Sequence, residues 1–546
     1  MMSEALTRRA TIHHELGRED LAASDLRETR QWLTRIAKTE LAERLQALAD
    51  AAEGEILVQR QPEAATACLT RSLAHFSRTT PALVPGLHFL LARAQLTRGL
   101  DDAGEEELLA GIEALERARI SLRDAALQVS FFDQALPLFE DMVRLQVTER
   151  HDPERALAYV ERWHARQLVD SIAGATTTPL DPEALRLALS DGVALVYYVP
   201  FEDRLYAWAV TREGCHFIER PLPAAELSRL VAAHRAAIEG RAPVEITRRT
   251  AARLHDELVR PLIPFIASQR ALAFIPDGVL QSVPFAGLWN RQTSRYLIED
   301  HLVGVAPSGT VFVRASADAA ASHGPTSRVL VVGNPRLDRR RWAGLSNLPA
   351  AEAEANEIAH LYPRSILLTG SEATSVAFLD GARASQIVHY AGHAVASADT
   401  PSTARLLFAP DPHTGDSGAL YLHQLGVRGL PRTRAVVLAA CRTAAGTVSR
   451  VEGALSLGRP FLAAGVPSVV ASLWDIDDSV SRRFFIAFHR ALLIEGDPVL
   501  ALRTAQIALL KGDDASLSHP ASWSAFICMG GLDPHSLNSL SKGEMS

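Results

Sequence analysis

The stretch RAVVLAACRTAAG (residues 434–446) carries an apolar run that ends at Ala440, followed by Cys441 and then by charged, hydroxylated and small residues. A short, continuously apolar run is typical of a strand buried in a parallel sheet, so Cys441 is predicted to lie at the carboxyl end of such a strand. The 546 residues include only four cysteines, and no two of them form a CxxC pair. This pattern argues against a disulfide framework or a zinc ribbon and favours a reducing compartment.

The sequence around this stretch alternates between apolar runs and helical segments. Six runs between residues 328 and 531 read as strands: RVLVVGNP, SILLTG, QIVHYAGHA, AVVLAAC, PSVVASLW and AFICMGG. The alternation predicts an α/β fold of three layers around a mainly parallel sheet. In such sheets the working residues follow the carboxyl ends of the strands, which is where both His393 and Cys441 are placed.

A histidine and a cysteine in these positions suggest nucleophilic catalysis. A thiol attacks a carbonyl group only as the thiolate, so it needs a base and some exposure. Each residue alone also has an ordinary interpretation: Cys441 as a small buried hydrophobe, and His393 as a hydrogen-bonded core residue. Their shared position, their small neighbours and a caspase-like separation of 48 residues (441 − 393) favour a catalytic pair.

The same blocks carry a family resemblance. QIVHYAGHA, AVVLAACRTAAG, EGALSLGRPFLAAGVPSVVASLWDIDD, AFHRALLIEGDPVLALRTAQIALL and HPASWSAFICMGG occur in this order. They resemble the successive blocks of a CHAT domain, a caspase-like and separase-like cysteine peptidase family often found behind tetratricopeptide repeats. The resemblance runs from about residue 192 to residue 531 and is tightest from Arg328 onward. It implies a caspase-like α/β fold.

The resemblance also implies roles for individual residues. His393 would be the general base and Cys441 the nucleophile, and the backbone N–H groups of Ala394 and Cys441 would form the oxyanion hole. Ala394 stands where caspases often have glycine, and Arg442 stands where CHAT sequences commonly carry an acid; Arg442 could help to hold the thiolate or could simply face solvent. His389 competes for the role of base, but it lies within the strand and is interpreted as structural.

The acidic segment SLWDIDD (472–478) resembles the separase stretch that reads the substrate residue before the scissile bond. Asp475, Asp477 and Asp478 are therefore candidates for a pocket that selects Arg or Lys. The alternative is that Asp477 or Asp478 caps the helix that follows.

Three regions are expected besides a short tail. Residues 1–175 show helix–turn–helix patterns that resemble degenerate tetratricopeptide repeats, with a plain helical bundle as the alternative. Residues 190–315 have no Cys or His at equivalent strand ends and are expected to form a degenerate caspase-like half, and residues 327–535 the catalytic half. Residues 536–546 are expected to form a flexible tail.

Composition excludes several other classes. A formal net charge of −7 gives no footprint for direct nucleic-acid binding. The N-terminus has no apolar core of a secretory signal, and no run is long enough to span a bilayer, so a soluble cytoplasmic protein is expected. His389 and His393 lack the helix and the glutamate of a zinc motif, and GDSGAL (415–420) lies in no trypsin-like context.

These observations predict a cysteine endopeptidase that cleaves a specific protein target and requires no metal or organic cofactor. The helical repeats are expected to bind a regulatory protein partner, and the family suggests a role in bacterial defence or signalling. The alternative is a catalytically silent interaction scaffold. A thiol redox sensor ranks last, because only Cys528, on another strand, could act as the resolving cysteine.

Overall fold

The computed structural model describes most of the chain in nine ranges: residues 2–35, 39–121, 136–173, 179–322, 328–395, 404–411, 415–426, 429–439 and 453–539. The chain divides into two compact units, residues 1–163 and residues 164–546.

The first unit is built from helices. They are α1 (Met2–Glu15), α2 (Glu19–Leu33), α3 (Glu40–Leu57), α4 (Pro62–Thr79), α5 (Val84–Thr97), α6 (Asp101–Ser121), α7 (Leu136–Thr148) and α8 (Pro153–Ala173), the last of which extends past residue 163. Successive helices pack in pairs, and small residues bring their axes close together. A Cβ atom at Gly54 of α3, for example, would lie 2.5 Å from Leu69 Cγ of α4. Paired helices with close glycine and alanine contacts fit the predicted tetratricopeptide-like repeats.

The second unit contains all the described strands. They are β1 (Val193–Pro200), β2 (Leu205–Val210), β3 (Cys215–Arg220), β4 (Ala271–Ile275), β5 (Trp289–Asn290), β6 (Arg295–Tyr296), β7 (Leu302–Val305), β8 (Val329–Pro335), β9 (Ser365–Gly370), β10 (Ile387–Ala391), β11 (Ala394–Val395), β12 (Arg405–Leu407), β13 (Ala419–Tyr421), β14 (Ala435–Leu438), β15 (Ser468–Ser472) and β16 (Phe526–Gly530).

The helices of this unit lie before, between and after the strands in the sequence. They are α9 (Pro182–Ala188), α10 (Ala224–Glu239), α11 (Val244–Leu258), α12 (Ile263–Ile266), α13 (Leu297–Asp300), α14 (Gly309–Ala321), α15 (Pro349–Leu361), α16 (Ser375–Ala384), α17 (Gly453–Ala463), α18 (Asp478–Glu495), α19 (Pro498–Leu510), α20 (Ala515–Ser518), α21 (Pro520–Trp523) and α22 (Pro534–Ser539). Short 3₁₀ turns occupy Pro81–Leu83, Arg260–Leu262, Gly278–Ser282, Phe285–Gly287 and Leu422–Leu425.

One eleven-stranded sheet organises the second unit, in the order β3-β2-β1-β4-β7-β16-β15-β14-β10-β8-β9. Strands β1, β4, β7 and β16 run parallel to one another, and so do β15, β14, β10, β8 and β9. The two groups run in opposite directions, because β15 and β16 pair antiparallel. The carboxyl ends of the two groups therefore lie at opposite edges of the sheet.

Helices cover both faces of this sheet. On β8, Leu330 lies under Gly381 of α16, whereas Gly333 lies under Ala355 of α15. These two strand residues are three apart, and side chains alternate between faces along a strand, so α15 and α16 lie on opposite sides. The result is the predicted three-layer arrangement, with the β-strand core buried between two helical layers.

The C-terminal end of the described chain departs from the sequence-based expectation. Ser536 and Leu537, which were expected in a flexible tail, belong to α22 and are 4% and 1% exposed. Leu537 packs as a buried apolar side chain, which fixes this helix to the unit, and residues 540–546 lie outside the described ranges. Within the described ranges, every helix is too short or too polar to cross a bilayer.

Candidate active site

The strands that precede the two predicted catalytic residues are neighbours. β10 and β14 pair in parallel, with Tyr390 opposite Leu438, and the Ala439 N–H donates to the Tyr390 carbonyl oxygen over 2.9 Å. The chain segments that lead to His393 and Cys441 therefore leave the sheet side by side at one edge. Cys441 and Arg442 themselves lie outside the described residues.

The imidazole of His393 is held through one nitrogen. Its Nε2 lies 2.8 Å from the Ser346 carbonyl oxygen. A carbonyl oxygen only accepts, so Nε2 carries a proton, and in the neutral ring Nδ1 then presents a lone pair. His393 is 3% exposed, and its buried Nδ1 has no hydrogen-bond partner within the described ranges. This is the state that a general base requires.

The main chain of His393 is fixed separately. The Leu407 N–H donates to its carbonyl oxygen over 2.9 Å, and the Tyr390 hydroxyl oxygen lies 2.8 Å from the same carbonyl oxygen and 2.6 Å from that of Leu407. Burial raises the pKa of the Tyr390 hydroxyl, which keeps it a proton donor. The Tyr390 ring also accounts for Gly392, because a Cβ atom there would lie 2.7 Å from the tyrosine oxygen.

Ala394, the predicted oxyanion-hole residue, begins β11 and is fully buried. It pairs antiparallel with Leu406 of β12 in a small three-stranded sheet formed by β11, β12 and β13. This sheet fixes the backbone directly after His393. The second predicted donor, the Cys441 N–H, lies outside the described residues.

The three acidic candidates occupy different positions. Asp477 is the N-cap of α18, where its Oδ1 accepts from the Ser479 N–H over 2.9 Å. The Ser479 hydroxyl also donates to Asp477 and, with the backbone N–H groups, lowers the pKa of that carboxyl. Asp475 is exposed. Asp478 lines a small cavity of about 40 Å³ together with Gly392 and Ala439.

That cavity places Asp478 beside the segments that lead to the two candidate catalytic residues, because Gly392 precedes His393 and Ala439 lies two residues before Cys441. Its other lining residues are Leu348, Ala351, Glu354, Ile476 and Ser481. Of the three acids, Asp478 is the one that lines this cavity.

His389 lies within strand β10, as the sequence predicted. It is fully buried, with its Nε2 2.9 Å from Glu354 Oε1 and its Nδ1 3.1 Å from His489 Nε2. A further hydrogen bond joins His489 Nδ1 to the Tyr362 hydroxyl over 2.7 Å. Burial, and then the neighbouring His389, hold the pKa of His489 well below its usual range. Both ring nitrogens of His389 thus have hydrogen-bond partners, which is compatible with the structural role expected from the sequence.

Ser346, Glu354 and His489 were missed by the sequence reasoning. Ser346 acts through its backbone carbonyl, which carries no side-chain signature. Glu354 and His489 lie on helices whose apolar periodicity predicts a buried face but not which polar residues meet there. A charged or titratable residue on the buried face of a helix is the signal that could have identified them.

Two further groups of reactive side chains lie away from this edge of the sheet. Asp50, Glu53 and Cys68 offer ligand atoms within 4.8 Å of one another. However, the guanidinium groups of Arg30 and Arg71 lie 2.7 Å and 2.8 Å from Asp50 and already supply positive charge. Separately, burial raises the pKa of the Cys528 thiol, so this cysteine is a poor nucleophile.

Comparison with known proteins adds a family assignment to this geometry. The CHAT domain family matches residues 248–531, just over half of the chain. Tetratricopeptide repeat protein 28 from Homo sapiens is 26% identical over 308 residues, which cover 48% of this chain and 12% of that protein. The Mus musculus protein of the same name is 26% identical over 307 residues, with the same coverage. The chain therefore matches only about an eighth of the length of these relatives.

Solved structures give more distant likenesses. The Saccharomyces cerevisiae separase–securin complex aligns with 97% of this chain and 49% of the other chain, at 10% identity and a TM-score of 0.45. The complex of the pro- and mature domains of Porphyromonas gingivalis RgpB aligns with 58% of this chain and 78% of the other, at 11% identity and a TM-score of 0.33. The family match and the observed architecture confirm the predicted fold class, a caspase-like α/β domain behind tetratricopeptide-like helices.

Proposed function

The chain belongs to the CHAT domain family, and from this premise we propose that it is a cysteine endopeptidase that uses His393 as general base and Cys441 as nucleophile. The observation that best supports this proposal is the hydrogen bonding of the two ring nitrogens of His393. Its Nε2–H is bound to the Ser346 carbonyl, and its buried Nδ1 lacks a partner within the described ranges, beside the strand that leads to Cys441.

The proposed reaction follows from these positions. His393 Nδ1 takes the thiol proton of Cys441, and the thiolate sulfur bonds to the carbonyl carbon of the scissile peptide. The N–H groups of Ala394 and Cys441 bind the resulting oxyanion. As the intermediate collapses, the C–N bond breaks and the imidazolium returns its proton to the leaving amine. Water then hydrolyses the thioester, with His393 again acting as base.

The Ser346 carbonyl has a defined part in this cycle. When Nδ1 gains a proton, the imidazolium keeps its Nε2–H directed at the carbonyl oxygen. A hydrogen bond to a charged donor is stronger than one to a neutral donor, so this contact favours the protonated state that forms during the reaction. It performs the orienting role that a carboxylate has in serine peptidases.

For specificity, we propose that the acidic segment selects a basic residue before the scissile bond. Asp478 is the best placed of the three candidates, because it lines the cavity beside Gly392 and Ala439. Asp475 and Asp477 would add negative potential at the rim. A cleft lined by one sign of charge raises the local concentration of an oppositely charged ligand.

We further propose that the first unit receives the regulatory signal. Stacked helix pairs form extended surfaces that suit a protein partner. The activity would be exerted in the cytoplasm on one target protein, in bacterial defence or signalling. No direct contact with nucleic acid or membrane is required.

The test measures thiolate reactivity and needs no substrate. Purified protein is treated with iodoacetamide between pH 5 and pH 9, and alkylation of Cys441 is quantified by mass spectrometry of the tryptic peptide AVVLAACR. We expect alkylation well below the ordinary thiol pKa of about 8.5, because His393 stabilises the thiolate. His393→Ala should slow alkylation at pH 6.5 by about tenfold, the effect of one pKa unit.

The matched control is His360→Ala, since His360 is exposed and its ring Nδ1 lies 2.6 Å from the Asn356 carbonyl oxygen of its own helix. Labelling with an acyloxymethyl ketone that carries arginine then tests turnover-competent geometry, with Cys441→Ala as the blank. If Cys441 titrates as an ordinary thiol in the parent and in His393→Ala alike, the endopeptidase proposal fails and the scaffold alternative is favoured.

A further inference from the structure

We propose that Asn334 is the positioning residue that holds the Ser346 carbonyl against His393 and thereby sets the imidazole tautomer. The inference rests on the proposed function for its catalytic meaning. The effect of Asn334 on the His393 tautomer, transmitted through the loop between β8 and α15, can be tested independently of catalysis.

Asn334 lies near the carboxyl end of β8. β8 pairs in parallel with β10, with Gly333 opposite Ala391, so Asn334 follows the same sheet edge from which His393 emerges. The register of β8 with β9 shifts between Gly333 and Pro335, which makes Asn334 the extra residue of a bulge. Bulges near sites of chemistry redirect a side chain out of the regular alternation of the strand.

The backbone of Asn334 is also unusual. Its φ is +48°, in the left-handed region that disfavours most residues with a Cβ atom, although asparagine tolerates it better than most. A strained conformation of this kind persists only where the surroundings determine it. At Asn334, the hydrogen bonds of the side chain hold the backbone in this conformation.

Both ends of the Asn334 amide are engaged. Its Oδ1 accepts from the Leu348 N–H over 2.8 Å, and its Nδ2 donates to Glu352 Oε2 over 3.0 Å. Because the backbone N–H can only donate and a carboxylate accepts, the two contacts agree on which end of the amide is oxygen. Leu348 is the residue that precedes α15, so the amide joins the end of β8 to the start of that helix.

Leu348 lies in the same loop as the carbonyl group that binds His393. Ser346 lies two residues before Leu348, and its carbonyl oxygen binds His393 Nε2. Ser346 and Asn347 are exposed, whereas Leu348 is 8% exposed. Leu348 is therefore the buried anchor of this stretch, and Asn334 is the side chain that holds it at the edge of the sheet.

The Trp342 ring lies 5.4 Å from the Arg405 guanidinium of β12, whereas several hydrogen bonds of the loop are local. Asp338 accepts backbone hydrogen bonds from Arg341 and Trp342, and Arg339 donates to Asn347 Oδ1 over 3.2 Å. These bonds shape the loop but do not join it to β8 or β10. Loss of the Asn334 amide should therefore let the Ser346 carbonyl move while the strands stay in place.

The consequence concerns the proton on His393. Without the carbonyl, neither ring nitrogen has a fixed acceptor within the described ranges, so the Nε2–H and Nδ1–H tautomers become closer in energy. The Nδ1–H form cannot accept a thiol proton at Nδ1. Loss of Asn334 should reduce the fraction of molecules with a competent base without removing any group from the reaction.

The experiment uses the full chain labelled with ¹⁵N-histidine. The imidazole nitrogens of His393, assigned by comparison with His393→Gln, report which nitrogen carries the proton. The parent should show the Nε2–H tautomer. In Asn334→Ala the tautomer ratio should shift toward Nδ1–H by roughly fivefold, the change expected from losing one hydrogen bond of ordinary strength.

Asn334→Gly serves as a second variant, because glycine adopts positive φ without strain and should fold even if the alanine variant does not. It removes the same amide and should give the same tautomer shift. Asn347→Ala is the control, since it removes an exposed side-chain contact of the same loop and should leave the tautomer unchanged.

The pH profile of Cys441 alkylation is recorded in parallel. If the tautomer shifts but Cys441 is an ordinary thiol even in the parent, the positioning role stands and the peptidase proposal fails. If the parent thiol is activated and both Asn334 variants keep the parent tautomer and profile, the positioning role is overturned and the peptidase proposal stands.

Discussion

Asp477 and Asp478 are adjacent in the chain but meet different surroundings. The Asp477 carboxylate accepts from the Ser479 N–H at the start of α18, which satisfies one of the free N–H groups of the first helical turn. Asp478 is the first residue of that helix and lines the cavity next to Gly392. Asp477 is thus the helix cap, whereas a pocket role for Asp478 stays a prediction that can be tested separately.

We expect Asp477→Ala to lower the free energy of unfolding by about 1 kcal/mol, the usual cost of losing an N-cap. Asp478→Ala should leave stability within about 0.5 kcal/mol, as is typical of exposed positions, but should reduce labelling by an arginine-bearing ketone relative to one bearing norleucine. Urea unfolding and competitive labelling measure the two effects. A pocket role for Asp478 is contradicted if both probes lose labelling equally.

At this scale the sequence predicted where His393 emerges but not what holds it. The strand pattern and the spacing placed the histidine at a strand end, and the structure brings β10 and β14 together there. The Ser346 carbonyl could not be predicted, because every residue has a carbonyl group and its direction depends on the path of the whole loop between β8 and α15. Asn334 could have been noticed only as a polar residue that ends an apolar strand.

At the scale of the elements, one buried network of side-chain hydrogen bonds joins α15, β10 and α18. Glu354 belongs to α15, His389 to β10 and His489 to α18, while Tyr362 follows α15 directly. Ser481 of α18 also donates to Glu354 over 3.3 Å. Each contact of the network joins one donor to one acceptor, whichever way the hydrogen bond between His389 and His489 points, and His389 Nε2 donates to the Glu354 carboxylate. A satisfied network of this kind fixes the mutual arrangement of its elements.

This network predicts a dependence of stability on pH. Burial lowers the pKa of His489 in the folded state, whereas in the unfolded chain it binds a proton below about pH 6.5. The unfolded state therefore binds more protons, and stability is lost as the pH falls below about 6.5. His489→Gln should be less stable than the parent at pH 8 but should lose stability less steeply between pH 7 and pH 5.

The measurement is urea unfolding at half-unit pH steps. The exposed residue His360 provides the control, since His360→Gln should follow the parent curve. Parallel curves for the parent and His489→Gln would show that His489 does not titrate between the two states. That result would contradict a neutral His489 in the folded state.

The apolar runs predicted the elements well but not their directions. RVLVVGNP, QIVHYAGHA and AVVLAAC correspond to β8, β10 and β14, which run in parallel as expected. AFICMGG corresponds to β16, which runs antiparallel to β15 and reverses the sense of the sheet. A short apolar run has the same pattern in either direction, so only the long-range pairing decides it.

For the whole molecule, β16 is the junction between the two oppositely directed groups of strands. It shares five residue pairs with β15 and is also paired with β7 through Met529 and Val305. Gly530 ends this strand at a φ of +122°, and a Cβ atom there would lie 2.1 Å from the Pro467 carbonyl oxygen. The backbone of β16 therefore fits its position only with glycine at residue 530.

We expect Gly530→Ala to destabilise the α/β unit by more than about 2 kcal/mol, because backbone strain and a clash with a carbonyl act together. Gly496→Ala is the matched control. It also has a positive φ, +73°, but nothing lies within 4 Å of its Cβ position. Its cost should be about 1 kcal/mol. Thermal unfolding followed by circular dichroism measures both, and equal shifts would mean that the junction tolerates a side chain.

The central place of β16 also has a consequence for the order of folding. Strands β7 and β15 can pair with β16 only after residues 526–530 have been synthesised. For β7, this partner lies more than two hundred residues further along the chain. Contacts between such distant segments form slowly, since a long loop has to close first. Until then the chain exposes two unpaired strand edges, to which a second molecule could attach. Because β16 joins the two groups of strands and is the last of these strands to be synthesised, we expect folding of this unit during synthesis to depend on chaperones.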